Sequence, residues 1–444
     1  MNRIEQAIER AVKLRANNVL ITETFDLARN QAKKAIENGK DPFPLVVKDC
    51  FSSETEQTTC GSFMLDQYRP TFDATVVQRL VQNGGCIVGK SNLDEFCMGT
   101  SSALGYYGPV KSNVIPSSED DWLIPGGSSG GSAVAVQAGI SDVALGSDTG
   151  GSSRNPAAFN GVVGFKPTYG VLSRHGLIPL VNSMDSPSIL AKSSQDCWKY
   201  LVLAKGLDKM DATSIELDDY TTKPIQDLVI GIPTEYHNEN LSKDAWKWWN
   251  RAANILKRKG AKIVSVSLPH TKFSSACYHV LSTADVASNM ARYDSVGYGY
   301  RQESATTDEL YTTSRNSSLN EVVRKRIFAG NYFLMKRVRA DYYNRALKVR
   351  RKISEELYAV MKEVDIILTP TASGVAPKYS ELRNCLFSRE DHDDFFTMSA
   401  NLAGIPAMSV PIGSSKGLPI AVQVMSGLKK DRLVCDVAAA LYEP

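Results

Sequence analysis

The chain has 444 residues, 43% of them hydrophobic and 22% charged, which is typical of a globular protein with a sizeable core. A net charge of +3 is too small to indicate nucleic-acid binding by itself. The eight cysteines are scattered without a C-x-x-C pair, which argues against a disulfide framework or a metal cluster and favours a reducing compartment. No apolar run approaches the roughly 20 residues that a membrane span requires.

The first segment, residues 2–38, has apolar residues at helical spacing and predicts two helices. Glu5 and Glu9 are unusual in a transit peptide, so we interpret the first helix as part of the fold. Leu45–Val47 then predicts a short buried strand that ends at Lys48. From the residues alone, Lys48 is best explained as a strand-edge lysine that reaches solvent.

Further along the chain, strands and helices alternate, which favours an α/β sheet. The predicted helices are Ala74–Asn83, Lys243–Lys259 and most of residues 305–360. The predicted strands are Gly84–Lys90, Leu228–Pro233, Ala261–Val266, Asp365–Pro370 and a closing pair within Asn401–Pro411 and Gly417–Gly427. Residues 116–124 are polar and predict a surface loop.

The most informative stretch is Pro125–Thr168, in which two glycine–serine clusters, Gly126–Ser132 and Gly150–Ser153, flank one apolar helix-then-strand unit. Glycines allow backbone N–H groups to turn toward a common point. A flexible linker is the simplest explanation of either cluster alone. The dense apolar segments between them indicate instead that both loops are held in place, so that serine hydroxyls converge.

Three kinds of chemistry fit such loops. A phosphate site is disfavoured because neither G-x-x-x-x-G-K-[ST] nor G-x-G-x-x-G is present. A nucleophile elbow fits Gly127–Gly131, but it needs a histidine base, and no histidine lies in an obvious motif. The histidines are His175, His237, His270, His279 and His392. The third possibility is a serine hydrolase whose base is a lysine.

The stretch resembles the amidase signature family in three consecutive motifs: GGSSGGS, DTGGSSRNPA and GVVGFKPT. The resemblance implies an α/β fold in which a mixed central β-sheet is covered by helices on both faces. It also implies one large domain over residues 1–444, with a signature core at about 125–168 and a helical substrate-side insertion at about 275–360.

The family resemblance also implies a catalytic triad. Carried onto this chain, Ser152 is the nucleophile, Ser128 the bridging serine and Lys48 the base, and the 24 residues between the serines match the family spacing. Burial would favour the neutral amine that a base requires. The backbone N–H groups expected to bind the oxyanion are those of Thr149, Gly150, Gly151 and Ser152.

Other residues of the signature are interpreted as structural, or depart from the family pattern. Asp148 and Arg154 are expected to form a pair that holds the nucleophile loop rigid. Ser183–Ser188 stands where the family usually has SLDQxGP, and Ser153 and Asn155 differ from the more frequent GGSIRQP.

Within the family, phrases such as SNMARYDSVGYGYR and VVRKRIFAGNYFL are similar to the glutamine-hydrolysing subunits of tRNA-dependent amidotransferases. This likeness implies that Arg326 and Asp394 bind the α-carboxylate and α-ammonium of glutamine, with Tyr278 lining the substrate and Ser129 in a supporting role. Without the likeness, Arg326 would be interpreted as a solvated base of a helix and Asp394 as a surface carboxylate.

The reaction so implied is hydrolysis of glutamine, with ammonia passing to a partner amidotransferase subunit that binds and activates Glu-tRNA(Gln). We expect no cofactor in this chain, ATP and Mg²⁺ on that partner, a small third subunit, and tRNA contacts mainly through the partner. The divergent motifs and the cysteine usage favour a mitochondrial (matrix) form over a cytoplasmic one. The rival hypotheses are a stand-alone amidase for small or acyl amides and a catalytically silent scaffold.

Overall fold

The computed structural model describes residues 1–54, 56–116, 120–218, 223–383 and 394–442. Three features considered above lie outside the described residues: positions 117–119 of the predicted surface loop, Cys385, and His392. Among the described helices, none is both long and apolar enough to cross a membrane.

Eleven strands of the described chain form one mixed sheet, in the order β1-β3-β2-β4-β6-β5-β10-β11-β9-β7-β8. The strands are β1 Leu20–Glu23, β2 Phe43–Lys48, β3 Gly85–Ser91, β4 Val143–Asp148, β5 Val163–Lys166, β6 Ser186–Ala191, β7 Val229–Pro233, β8 Lys262–Val266, β9 Ile366–Pro370, β10 Ala407–Ser415 and β11 Leu418–Met425. Strand β2 runs parallel to β3 and β4, and β7 runs parallel to β8 and β9. The other described pairs are antiparallel.

Fourteen α-helices lie within the described residues. They are α1 Asn2–Lys13, α2 Phe25–Glu37, α3 Thr75–Gln82, α4 Gly130–Gln137, α5 Arg154–Asn160, α6 Ser194–Ala204, α7 Lys243–Arg258, α8 Ser274–Met290, α9 Thr307–Ser318, α10 Glu321–Leu334, α11 Tyr343–Glu363, α12 Tyr379–Leu382, α13 Met398–Ala403 and α14 Asp431–Ala440.

The sheet separates two hydrophobic cores. Because side chains alternate along a strand, Val46 of β2 lies in the core formed with helices α1, α2 and α4, whereas Leu45 and Val47 lie in the larger core with α3, α6 and α8. Both sides of β2 are therefore buried, which explains its uninterrupted apolar run. Helices on both faces of a mixed sheet confirm the predicted α/β fold.

Most of the predicted helices and strands are present within about two residues, although β10 continues past Pro411 to Ser415. Several described elements were not predicted, among them α6, α13 and α14, and three others show why. Strand β1 has only four residues, none of them fully buried, so it shows no clear period. Helix α5 carries Pro156, which is tolerated because it lies in the first turn. Strand β6 begins with Ser-Pro-Ser, a sequence that resembles a turn more than a buried strand.

Candidate active site

Lys48 lies where two neighbouring strands end. It is the last residue of β2, which runs parallel to β4, so the carboxyl ends of both strands meet at one edge of the sheet. That edge is where α/β proteins commonly place functional side chains. Lys48 is fully buried. The interpretation of Lys48 as a lysine that reaches solvent is therefore wrong.

Three serine hydroxyls surround the amine of Lys48. Its Nζ lies 2.8 Å from Ser128 Oγ, 2.9 Å from Ser129 Oγ and 2.9 Å from Ser147 Oγ. The predicted base and bridging serine are thus in direct contact. Ser129, for which a supporting role is predicted, is buried against the lysine as well.

The turn before Ser128 has no room for a side chain. A Cβ at Gly127 would lie 2.2 Å from Asp94 Oδ2 and 2.5 Å from the backbone nitrogen of Ser101. The Gly127–Ser128 peptide bond is cis. Glycine at position 127 therefore lets the first cluster pass close to Asp94 and present Ser128 to Lys48.

The second glycine–serine cluster lies against the first one. The backbone N–H of Ser129 donates to the carbonyl oxygen of Ser152 at 3.0 Å, which joins the two loops. The exposed fraction of Ser152 is 7%, whereas Ser128 and Lys48 are at 0%. Of the three predicted triad residues, Ser152 is thus the one that a substrate can reach.

The glycines of the predicted oxyanion loop border two predicted substrate residues. A Cβ at Gly150 would lie 2.9 Å from Cζ of Tyr278, and a Cβ at Gly151 would lie 2.6 Å from Oδ1 of Asp394. Gly151 also has φ +151°, which favours glycine. The Thr397 hydroxyl donates to the Gly150 carbonyl oxygen at 2.6 Å and fixes the loop from helix α13. Tyr278 and Asp394 therefore lie beside the nucleophile loop.

Arg326 lies on the face of α10 that packs against α8, the helix of Tyr278. At Gly330, one turn later on the same face, a Cβ would lie 1.9 Å from the carbonyl oxygen of Thr283 in α8. Only 9% of Arg326 and 4% of Asp394 are exposed. The simpler interpretations of these two residues as surface charges are therefore wrong.

A buried ion pair holds the nucleophile loop, as predicted. Arg154 donates from Nη2 to Asp148 Oδ1 at 2.8 Å and from Nε to Asp148 Oδ2 at 3.0 Å, with both side chains at 0% exposure. The remaining N–H groups of the guanidinium donate to Thr397 O, Asn401 Oδ1 and Gln423 Oε1. All five donors of Arg154 are thus used.

Sequence reasoning missed Asp185, which immediately precedes strand β6 and braces the predicted oxyanion loop. Its Oδ1 accepts from the Thr149 hydroxyl at 2.8 Å, and its Oδ2 accepts from the N–H groups of Leu180 and Val181. Burial raises the pKa of Asp185 to about 7, although these hydrogen bonds lower it. Asp185 stands in the altered SLDQxGP element of the sequence. Its partners Thr149, Leu180 and Val181 are 36, 5 and 4 residues away, and no motif links them to it.

The raised pKa of Asp185 predicts a pH-dependent stability. A carboxyl with a pKa near 7 in the folded chain and 3.8 in the unfolded one stabilises the protein at low pH, and this contribution is lost as the pH rises through 7. Asp185→Asn removes the titration. Relative to wild type, the free energy of unfolding of the variant should rise between pH 5 and pH 9 by about 3 kcal/mol, at about 1.4 kcal/mol per pH unit up to pH 7 and with no further rise above it.

This difference can be measured from urea midpoints of both proteins at each pH. Lys166, whose pKa burial lowers to about 7, titrates in the same range but is common to both proteins and cancels. A pH-independent difference would contradict a buried ionisation at Asp185.

Comparisons with known proteins agree over nearly the whole chain. The sequence model of the family described as Amidase matches residues 2–435. The A subunit of the mitochondrial glutamyl-tRNA(Gln) amidotransferase of Pediculus humanus subsp. corporis is 44% identical, over 96% of this chain and 92% of that protein. The protein of the same name from Homo sapiens is 44% identical, over 95% of this chain and 86% of its own length.

Solved structures resemble the fold equally well. The crystal structure of the glutamyl-tRNA(Gln) amidotransferase A subunit from Thermotoga maritima superposes with a TM-score of 0.77 at 33% identity, covering 99% of this chain and 93% of that one. A crystal structure of an amidase gives a TM-score of 0.81 at 27% identity, covering 99% and 94%.

Proposed function

This chain belongs to the amidase family, and we propose that within it the chain is the glutamine-hydrolysing subunit of a glutamyl-tRNA(Gln) amidotransferase. It is a mitochondrial form, like the relatives described above. The observation that carries the proposal is the contact of the buried Lys48 amine with Ser128, beside a loop on which Ser152 is accessible.

In the proposed mechanism, Lys48 acts as a neutral amine. It takes the proton of Ser128, which takes the proton of Ser152 as the Ser152 oxygen attacks the amide carbon of glutamine. The N–H groups of the loop from Thr149 to Ser152 stabilise the oxyanion. Ser128 then gives its proton to the departing nitrogen, which leaves as ammonia, and takes a proton back from the Lys48 ammonium. The neutral amine is thereby restored, and water hydrolyses the γ-glutamyl ester on Ser152 to release glutamate.

The proposed grip on the amino-acid head group uses two opposite charges. Asp394 would accept from the α-ammonium, and Arg326 would bind the α-carboxylate in the bidentate geometry that guanidinium groups favour. The proximity of Asp394 to Gly151 supports this assignment, because it sets an anchor for the head group beside the nucleophile loop. Tyr278 would pack along the substrate next to Gly150.

The partners belong to the same proposal. A subunit that binds Glu-tRNA(Gln) would use ATP and Mg²⁺ to activate it and would consume the ammonia, and a small third subunit would complete the complex. The word subunit in the relatives' names supports a multi-chain assembly. The proposed role of this chain needs no cofactor of its own, because the amine and hydroxyls of its triad carry the chemistry.

The proposal is tested on the complex purified from its source with its copurifying subunits. We expect glutamine turnover, and we expect mass spectrometry of acid-quenched enzyme to find a γ-glutamyl ester on Ser152. A panel of acyl amides separates the rival: a stand-alone amidase would prefer these and would not need the partners. An absence of any Ser152 adduct would support the silent scaffold.

Substitutions at the proposed head-group site should act on binding. We expect Asp394→Asn and Arg326→Met each to raise KM for glutamine by about 10- to 100-fold, the loss of one or two charge-assisted hydrogen bonds. Steady-state kinetics at saturating glutamine check that kcat falls much less. Asp341→Asn, at an exposed position after α10, is the matched control and should leave KM unchanged.

A further inference from the structure

The hydrogen bonds around Lys48 have a defined order of donors and acceptors, from the Ser128 hydroxyl through the amine to Ser147 and on to Cys97. From this order we infer that Ser147 is a positioning residue, which turns the lone pair of Lys48 toward Ser128 by donating its own proton to Cys97. This inference rests on the proposed function, since it assigns a direction to the proton transfer of that mechanism. Ser147 was not among the predicted site residues.

The first step is a count of donors and acceptors at Nζ. A neutral amine has two N–H groups and one lone pair, but three hydroxyl oxygens lie within 2.9 Å of Nζ. Two of the hydroxyls must therefore accept from the amine, and one must donate to it. Only the hydroxyl that donates can give its proton to the base.

The second step is to find which hydroxyl protons are already engaged. Ser129 Oγ donates to the carbonyl oxygen of Ser147 at 3.2 Å. Ser147 Oγ donates to the sulfur of Cys97 at 3.6 Å and accepts from the thiol of Cys50 at 3.7 Å. With the contact to Nζ, Ser147 has one donor and two acceptor positions in use, which saturates a hydroxyl. Ser128 is left as the donor to the lone pair.

The third step is the character of Cys97 as an acceptor. Hydrogen bonds from Cys50 and Cys60 hold the pKa of the Cys97 thiol well below its usual value, while burial and the bond to Cys97 raise that of Cys50. Cys97 therefore accepts hydrogen bonds from its neighbours, including the one from Ser147. Among the described residues, the ionisable groups with an electrostatic effect shared with Lys48 include Cys50, Cys97 and Asp94.

The consequence is a base with a fixed orientation. If Ser147 could not accept from Nζ, the amine could rotate and present an N–H to Ser128 instead of its lone pair. In that orientation no lone pair faces the Ser128 hydroxyl, so the amine cannot accept the Ser128 proton. The arrangement of Ser147 and Ser129 therefore raises the fraction of amine orientations that are competent for proton transfer, without contact between Ser147 and the substrate.

The test is Ser147→Ala in the purified complex. We expect kcat for glutamine to fall by about 10- to 100-fold, with KM changed by less than twofold. The pH at which kcat reaches half its plateau should move down, because the ammonium form donates three hydrogen bonds and loses more than the amine when an acceptor is removed. A merely structural role would lower stability or KM without this shift.

Two variants of Cys97 check the acceptor. Cys97→Ala frees the Ser147 proton to compete for the lone pair, and kcat should fall about fivefold, the value of one hydrogen bond near 1 kcal/mol. Cys97→Ser restores an acceptor and should return kcat to within twofold of wild type. Cys86→Ala, which removes a buried thiol in the opposite core, is the control and should leave kcat unchanged.

A second measurement separates this inference from the proposed function. A fluorophosphonate labels an activated serine without any need for glutamine, so the rate of Ser152 labelling should show the same drop and the same pH shift in Ser147→Ala. If wild type labels but does not hydrolyse glutamine, the proposed function fails and the positioning role stands. Unchanged labelling and kcat in folded Ser147→Ala would overturn the inference.

Discussion

Lys48→Met is expected to lower kcat for glutamine hydrolysis by about 10⁴-fold, the scale of losing one member of a serine-hydrolase triad. Methionine is unbranched, nearly as long as lysine and apolar, so it suits a site at 0% exposure. The variant should fold and bind glutamine with little change in KM. What it lacks is the acceptor for the Ser128 proton, and without it Ser152 remains a weak nucleophile.

Two controls show whether the loss is chemical. Lys48→Met combined with Ser152→Ala should be no slower than either single variant, because residues that act as a unit are not additive. Lys90→Met removes another buried lysine, which lies on the adjacent strand β3. Its Nζ is 2.9 Å from Oδ1 of Asp49. This variant should lower the free energy of unfolding, whereas its kcat should fall far less than that of Lys48→Met. Glutamine turnover by Lys48→Met above a tenth of wild type would rule out Lys48 as the base.

The residues around Lys48 could be predicted from the sequence only in part. Burial of Lys48 could not be deduced from its neighbours, since an apolar run that ends in lysine also describes an exposed strand end. The glycine–serine clusters did predict convergence, because their spacing around one helix and one strand limits where the hydroxyls can lie. Residue 147 was overlooked because a serine within a strand carries no distinctive pattern.

Contacts between distant parts of the chain were beyond the reach of sequence reasoning. Thr397 fixes the carbonyl of Gly150 from 247 residues away, and nothing in either segment indicates the other. The order of the strands in the sheet also depends on contacts between segments that are distant in the sequence. Strand β10 inserts between β5 and β11, and its pairing with β5 depends on how both cores close. Local periodicity predicts that such strands exist but not which strands are neighbours.

Arg154→Met should destabilise the protein by about 3–5 kcal/mol, because it leaves the Asp148 carboxylate buried without its counter-charge. Burial alone would raise the pKa of Asp148, but the charge and hydrogen bonds of Arg154 outweigh it and hold the pKa at about 2. This contribution to stability is complete above the unfolded value of 3.8 and is lost as the pH falls through 2. Urea unfolding at pH 7 should therefore show the full effect. Arg432→Met, which breaks an exposed i,i+4 pair with Asp436, is the control and should cost about 0.5 kcal/mol or less.

A double variant shows whether the pair stabilises the fold or mainly positions the loop. Arg154→Met with Asp148→Asn removes both charges, and we expect it to recover much of the stability lost in Arg154→Met, since apolar or neutral replacements of buried pairs are often tolerated. Activity should not recover with it, because Arg154 also binds Thr397 O, and the Thr397 hydroxyl fixes the carbonyl of Gly150. Recovery of both stability and kcat would mean that the pair serves folding alone. Recovery of stability without kcat would mean that Arg154 is retained to hold the proposed oxyanion loop through Thr397.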